Sequence, residues 1–198
     1  MIAADRFVET SDNYEAWLTA RRTGVTATEV AKAATPAGFR EVTANRVNPQ
    51  PVEVNDFMRF GSDNEAWIAR VLKRDFDLMP NRWLIAAEGE PQHMATPDAL
   101  SLTHEWIGEI KTGGTAPLKG GLLNPPIAHR RQMQWQLWCT GAQSCVYAFM
   151  LRAESAGVFV PAWLEPLIVL VPRDEAMIAD LVKVADQLLI DFEGWEAA

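Results

Sequence analysis

The clearest pattern of apolar and polar positions lies near the C-terminus. Met177, Ile178, Leu181, Ala185, Leu188, Leu189 and Phe192 recur at helical spacing and form one wide apolar stripe. Helical spacing also marks residues 127–140 and 63–76, where Ile68, Ala69 and Leu72 share a face. Ser11-Asp12-Asn13 can cap a short helix over 14–21, and Gly24 marks the turn after it. Thr26-Ala27-Thr28-Glu29 has the form of a capping box and opens a helix to about Ala34. Strand-like runs occur at 83–87, 92–96, 106–111, 144–151 and 167–171. Residues 35–56 hold Pro36, Gly38, Pro49 and Pro51, which predicts a loop-rich insertion with a short helix near 40–47. A second Gly- and Pro-rich loop is predicted from Thr112 to Pro126. Strands interleaved with helices imply an α/β or α+β core rather than a helical bundle.

Composition narrows this picture in a few places. The 198 residues fit one domain, 1–198, with room for a sizeable core. No run approaches the length of a membrane span, so no membrane association is expected. Met1-Ile2-Ala3-Ala4-Asp5-Arg6 lacks the basic-then-apolar form of a secretory signal. Cys139 and Cys145 lack the spacing and companions of a zinc or iron–sulfur site, which points to a reduced, intracellular protein. The net charge of −8 is concentrated at the end: from Asp174 onward seven acids face Lys183 alone. That acidity argues against broad coating of nucleic acid but leaves room for a locally basic channel.

Candidate chemistry collects in two short pieces, Thr96-Pro97-Asp98-Ala99-Leu100 and Trp106-Ile107-Gly108-Glu109-Ile110-Lys111. Strand alternation puts Ile107, Glu109 and Lys111 on one face. Two acids and an ammonium near a strand end are awkward for a core. Carboxylates supply hard oxygen ligands for Mg²⁺, and Lys111 can stabilise a charged nucleophile or a phosphate. The bland alternative is a hairpin with a surface ion pair. Glu65 falls on the apolar face of its helix and must there be paired, protonated or bound to metal, unless it sits wet at the helix start. Gln132 lies on a face with Ala128, Trp135 and Cys139, where it could orient a water or a phosphate oxygen, or simply make a structural amide bond. Arg21 and Thr28 flank the capped start at Thr26, where free amides and a guanidinium could receive a phosphate. A capped helix beside an exposed arginine is the alternative there.

As a set, in order, these residues resemble a family. Trp17-x-x-x-Arg21…Thr26-Ala27-Thr28, Gly61-x-x-x-Glu65, Pro97-Asp98-x-Leu100, Glu109-Ile110-Lys111 and Gln132-x-Gln134…Leu137-Trp138-x-Thr140-Gly141 look like the phage lambda-type exonucleases. These are viral recombinase nucleases of the PD-(D/E)xK superfamily, and the resemblance runs from about Tyr14 to the last helix. It implies a central mixed sheet with flanking helices and a 5′→3′ exonuclease acting on duplex DNA ends. It further implies that Asp98, Glu109 and the Ile110 carbonyl ligate Mg²⁺ (or Mn²⁺), two ions per site, with Glu65 in support. Lys111 would position or activate the attacking water, and Gln132 would orient that water or Lys111. Arg21 and Thr28 would bind the 5′-phosphate of the strand end. A ring-shaped homotrimer, a single-strand annealing partner and a cytoplasmic setting as a phage or prophage protein are implied in the same way. His129 stands where the family has tyrosine, and Ala99 where it has glycine. Two other readings stay open: a PD-(D/E)xK endonuclease of restriction or repair type, and a non-catalytic DNA-binding or assembly module on a nuclease scaffold. Cas4-like nucleases share the core, but their iron–sulfur cysteines are missing here.

Overall fold

A computed structural model describes residues 1–51 and 53–196, so Val52, within the 35–56 segment, and residues 197–198 lie outside the described residues. The chain begins with β1 (Phe7–Thr10), α1 (Tyr14–Arg21), β2 (Val25–Thr26), α2 (Ala27–Ala33), α3 (Pro36–Val47) and α4 (Asp56–Phe76). Strands β3 (Leu78–Pro80), β4 (Trp83–Ala87), β5 (Glu90–Ala95), β6 (Ala99–Ser101) and β7 (Trp106–Gly113) follow. A short hairpin of β8 (Leu118–Lys119) and β9 (Leu122–Leu123) leads to α5 (Ile127–Thr140). The remainder is β10 (Ser144–Ser155), β11 (Val158–Pro161), β12 (Leu167–Pro172) and α6 (Glu175–Glu196).

The larger sheet runs β11-β10-β7-β6-β3, with β12 also on β10. Its centre is the parallel pair β7 and β10, flanked by antiparallel neighbours, so the sheet is mixed. β10 is buried on both faces, which is why its apolar run is nearly continuous. Cys145, Tyr147 and Phe149 pack with Met133 and Leu137 of α5. Val146, Ala148 and Met150 pack on the other side with Phe60, Ile68 and Leu72 of α4. One helix thus covers each face, and truncating fully buried Leu72 to Ala should cost about 2–5 kcal/mol. A smaller sheet, β1-β4-β5-β2, carries α1 and α2 beside it. The C-terminal stripe of α6 closes this end: Leu181, Ala185, Leu188 and Phe192 join Val25, Val30, Trp135 and Cys139 in one cluster.

The segment 35–56 is not the loop-rich insertion that its prolines and glycine predict. Pro36 opens α3 at its first turn, where a missing N–H costs nothing, and the Thr35 side chain accepts from Gly38 N–H at 3.1 Å. Gly38 is required by contact: a Cβ there would sit 1.9 Å from the Lys32 carbonyl oxygen. α4 likewise starts at Asp56 rather than near 63, capped by Asn55, whose side chain accepts from Met58 N–H at 3.0 Å. Among the described residues from α3 to α4, only 48–51 and 53–55 lie outside the helices. The predicted Thr112–Pro126 loop is interrupted by the β8–β9 hairpin, and the short strands β1, β3, β6 and β11 carry too few residues to show a period.

Candidate active site

Asp98 ends a turn just before β6, and the antiparallel β6–β7 pairing brings it over the middle of β7. Its backbone N–H donates to the Gly108 carbonyl at 3.1 Å, and Ile110 N–H donates to Asp98 Oδ2 at 2.6 Å. Gly108 permits this crossing, because a Cβ there would lie 3.0 Å from Ala99 Cβ and 3.1 Å from Leu72 Cδ1. Asn81 fixes the turn from below: its side-chain amide donates to the Pro97 carbonyl at 2.9 Å.

One residue on from Gly108, Glu109 leaves β7 toward α5. Its side chain is 1% exposed and both oxygens are occupied. Gln132 Nε2 donates to Oε1 at 2.6 Å, Gln136 Nε2 donates to Oε2 at 2.6 Å, and the Lys111 ammonium contacts Oε1. Alternation along β7 thus puts Glu109 and Lys111 on one face, and α5 supplies the amides. Gln132 does not share its direction with Trp135 and Cys139, which turn into the cluster with α2 and α6. Its companion is Gln136, one turn on, which sequence reasoning passed over although the spacing of four puts both amides on one face. Tyr147, which lies beside Glu109 in the parallel register, shares a 2.8 Å hydrogen bond with His129 Nδ1.

Burial and the nearby Glu109 carboxylate push the Asp98 carboxyl well above the usual carboxylate range. The Ile110 N–H and Lys111 offset this only in part. For Lys111, burial acts to lower the ammonium pKa, but Glu109 and Asp98 together outweigh it and hold it above its ordinary value. Burial, then Lys111, keeps the His129 imidazole below its usual range.

A cleft of about 460 Å³ opens beside β7, with Glu65, Asp98, Ile110 and Lys111 among its walls. A second cleft of about 350 Å³ shares Glu65, Asp98 and Ile110 with the first. Glu65 is exposed in the body of α4, not buried on its apolar stripe and not at the helix start. Water can satisfy its carboxylate there without a protein partner. Among the described residues no three His, Cys, Asp or Glu side chains are gathered closely enough to hold a metal as they stand. The donor set nevertheless suits a hard divalent cation in its chemistry. Two carboxyl groups repel one another in a desolvated setting, and Asp98 Oδ1 accepts no hydrogen bond among the described residues. Asp98, Ile110 and Glu65 line the open cleft, whereas Glu109 is turned toward α5 and already accepts from Gln132, Gln136 and Lys111.

Arg21 and Thr28 are not brought into one pocket. Arg21 lies 4.4 Å over the Trp17 ring and lines a cleft of about 240 Å³, whereas Thr28 lines a neighbouring one of about 610 Å³. Glu29 and Asn45 line both. One of the amides at this helix start, that of Thr26, is engaged by the chain itself. Glu29 Oε2 accepts from the Thr26 N–H at 2.9 Å and from its hydroxyl at 2.6 Å, which puts a carboxylate where the phosphate was expected.

A family model described as the YqaJ-like viral recombinase domain matches residues 16–143. No curated protein matches the chain. Among solved structures, the alkaline exonuclease LHK-Exo from Laribacter hongkongensis superposes with a TM-score of 0.73 at 25% identity, over 91% of this chain and 93% of that one. LHK-Exo in complex with dAMP gives 0.72 at 24% identity, with the same coverage of both chains. A phage related exonuclease from Haemophilus somnus 129PT gives 0.66 at 14% identity, over 88% of this chain and 95% of that one. These likenesses agree with the mixed sheet and flanking helices described above.

Proposed function

The chain belongs to the YqaJ-like viral recombinase domain family, and on that premise we propose that it is a metal-dependent 5′→3′ exonuclease on duplex DNA ends, acting in phage-type recombination. The observation that carries this reading is the setting of Glu109: buried, and fixed by Lys111, Gln132 and Gln136 beside the desolvated Asp98. A purely structural ion pair does not need a second buried carboxyl against it, because that arrangement costs stability. Asp98, Glu109 and the Ile110 carbonyl, with Glu65 alongside, would hold Mg²⁺ or Mn²⁺, which supplies Lewis-acid polarisation of the phosphate and a more acidic bound water.

The protein's own groups divide the remaining work. Gln132 and Gln136 fix the Glu109 side chain, so that its charge points one way before substrate arrives. Lys111 keeps its proton at neutral pH and can turn its charge from Glu109 toward the phosphate as negative charge grows on the phosphoryl oxygens. Glu65 stands in the open cleft, free to accept a hydrogen bond from water or substrate. Arg21, with its face on Trp17, keeps its N–H edge available for a terminal phosphate. LHK-Exo binds dAMP, a deoxynucleoside monophosphate of the kind that stepwise cleavage from a 5′ end releases. A homotrimeric ring and a single-strand annealing partner belong to the same proposal, and light scattering tests the first.

The test is digestion of linear and covalently closed duplexes with Mg²⁺, with and without a 5′-phosphate. Loss of the linear form with the circle intact, and mononucleotides as product, is the expected result. Cutting of the circle would replace this reading with an endonuclease, and no cutting of either with a binding module.

A further inference from the structure

The acidic cleft has a second cation that the reading above does not use. β10 runs on past its last pairing with β7, at Leu151 and Gly113, and its next residue, Arg152, pairs with Pro161 of β11. Arg152 therefore stands where the sheet opens, and it lines the same cleft as Glu65, Asp98 and Lys111. Its guanidinium is braced by rings rather than by acids. The central carbon lies 4.2 Å over Phe57 at the start of α4 and 4.8 Å over Phe159 of β11, whose rings are 5.3 Å apart. Stacking on ring faces holds the plane of an arginine while leaving its in-plane N–H donors unused. Among the described residues the Arg152 side chain makes no ion pair and no hydrogen bond, in contrast to Arg59, Arg74, Arg82 and Arg173, each of which sits on a carboxylate. Beside it Gly114 offers no side chain, and a Cβ there would come within 3.4 Å of Nη2.

An arginine fixed in place, left without a carboxylate in a chain rich in them, and set on the wall of a negative cleft is suited to an anion brought from outside. Resting on the nuclease reading, we propose that Arg152 binds a backbone phosphate of the strand being cut and so positions that strand across Asp98 and Lys111. The ligand class is a phosphodiester rather than a base, because nothing in the ring brace selects a base edge. Arg152 is a positioning residue here: it offsets the repulsion between a polyanion and the acids, and it sets the strand's register relative to them.

The experiment uses the full chain with Mg²⁺ and a 5′-phosphorylated linear duplex carrying one neutral methylphosphonate linkage, moved stepwise inward from the 5′ end. Wild type should be slowed about tenfold by the neutral linkage at one position near the cut. Arg152→Gln should be slow on unmodified DNA, mainly through KM, and show no further slowing at that position. Its dependence of log KM on log salt should be shallower by about one unit. Arg152→Lys keeps the charge without the planar brace and should retain the wild-type salt slope, which keeps the test valid if the glutamine variant folds poorly. If Arg152→Gln keeps the wild-type salt slope and loses as much rate as wild type at every neutral linkage, the phosphate contact is overturned. If wild type cuts no substrate at all, the nuclease reading fails instead, and the two failures are thus distinct.

Discussion

Around Glu109 the polar side chains hold one another, whereas in the corner between α1 and α3 they do not converge. Lys111, Gln132 and Gln136 all point at one buried carboxylate, and Asp98 is tied to the neighbouring backbone. In the corner, Arg21 and Thr28 face different clefts, and Glu29 is engaged with Thr26. The first region is organised before substrate arrives. The second still holds its own carboxylate, which an arriving phosphate must meet. Preorganised charge contributes to rate, whereas a loosely formed pocket contributes mainly to the choice of DNA end.

That contrast sets the order of effects. Asp98→Asn and Glu109→Gln should each reduce cleavage by a thousandfold or more, on the order of several kcal/mol in the barrier, with the circular dichroism spectrum retained. Near-normal rates in either variant would remove the distinction between the two regions. Gln136→Leu, which takes one fixed donor from Glu109, should slow the reaction roughly 10–100-fold and leave KM for DNA nearly unchanged. A change confined to KM would mean that the amide touches DNA rather than Glu109. Arg21→Ala should cost about tenfold on 5′-phosphorylated ends and nothing on 5′-hydroxyl ends. Equal slowing on both kinds of end would place Arg21 outside the phosphate pocket. Thr28→Ala, lining the other cleft, should give a smaller loss of the same kind.

The smallest effect concerns neither region. His93 lies between Trp138, whose indole N–H donates to Nδ1 at 3.2 Å, and Asp186, 3.2 Å from Nε2. Burial lowers its pKa from 6.5, and the opposing pull of Asp186 is weaker. A lowered histidine pKa means that the unfolded chain binds the proton more readily. The stabilising contribution is therefore complete above about pH 6.5 and is lost as the pH falls from there through the folded value. His93→Gln should flatten this acid limb in urea unfolding series, and an unchanged limb would assign the dependence to His104 or His129.

How much of this was legible in the sequence differs between the same two regions. β7 is long enough to show its period, so Glu109 and Lys111 could be put on one face before any coordinates. Their meeting with Asp98 depends on β6, three residues long, which carries no periodic signal and is defined only by its pairing. Gln132 stands out in the sequence as a polar residue among apolar ones, but a face counted through Trp135 and Cys139 leaves out Gln136, the second amide on Glu109. Glu65 stands i, i+3, i+4 and i+7 with Ile68, Ala69 and Leu72, so spacing alone predicts a buried carboxylate. Spacing does not show that this end of the stripe faces a cleft. Gly61 and Ser62 are weak helix formers and hide the two turns of α4 that precede Asp63. In the corner, the capping box is legible from Thr26 and Glu29, and the structure contains it. A box that engages the Thr26 amide and hydroxyl also sets a carboxylate beside the amides offered to an anion. Pro36 misled for a related reason, since proline at a first helical turn and proline in a loop look alike until the following residues are seen to pack.

The central claim is that Asp98 and Glu109 share one divalent cation. Isothermal titration of Mn²⁺ into the DNA-free protein at pH 7.5 tests this most directly, with Asp98→Asn and Gln136→Leu as companions. Binding by wild type and by Gln136→Leu, abolished in Asp98→Asn, is the predicted result. Equal heats and stoichiometry in wild type and Asp98→Asn would contradict it.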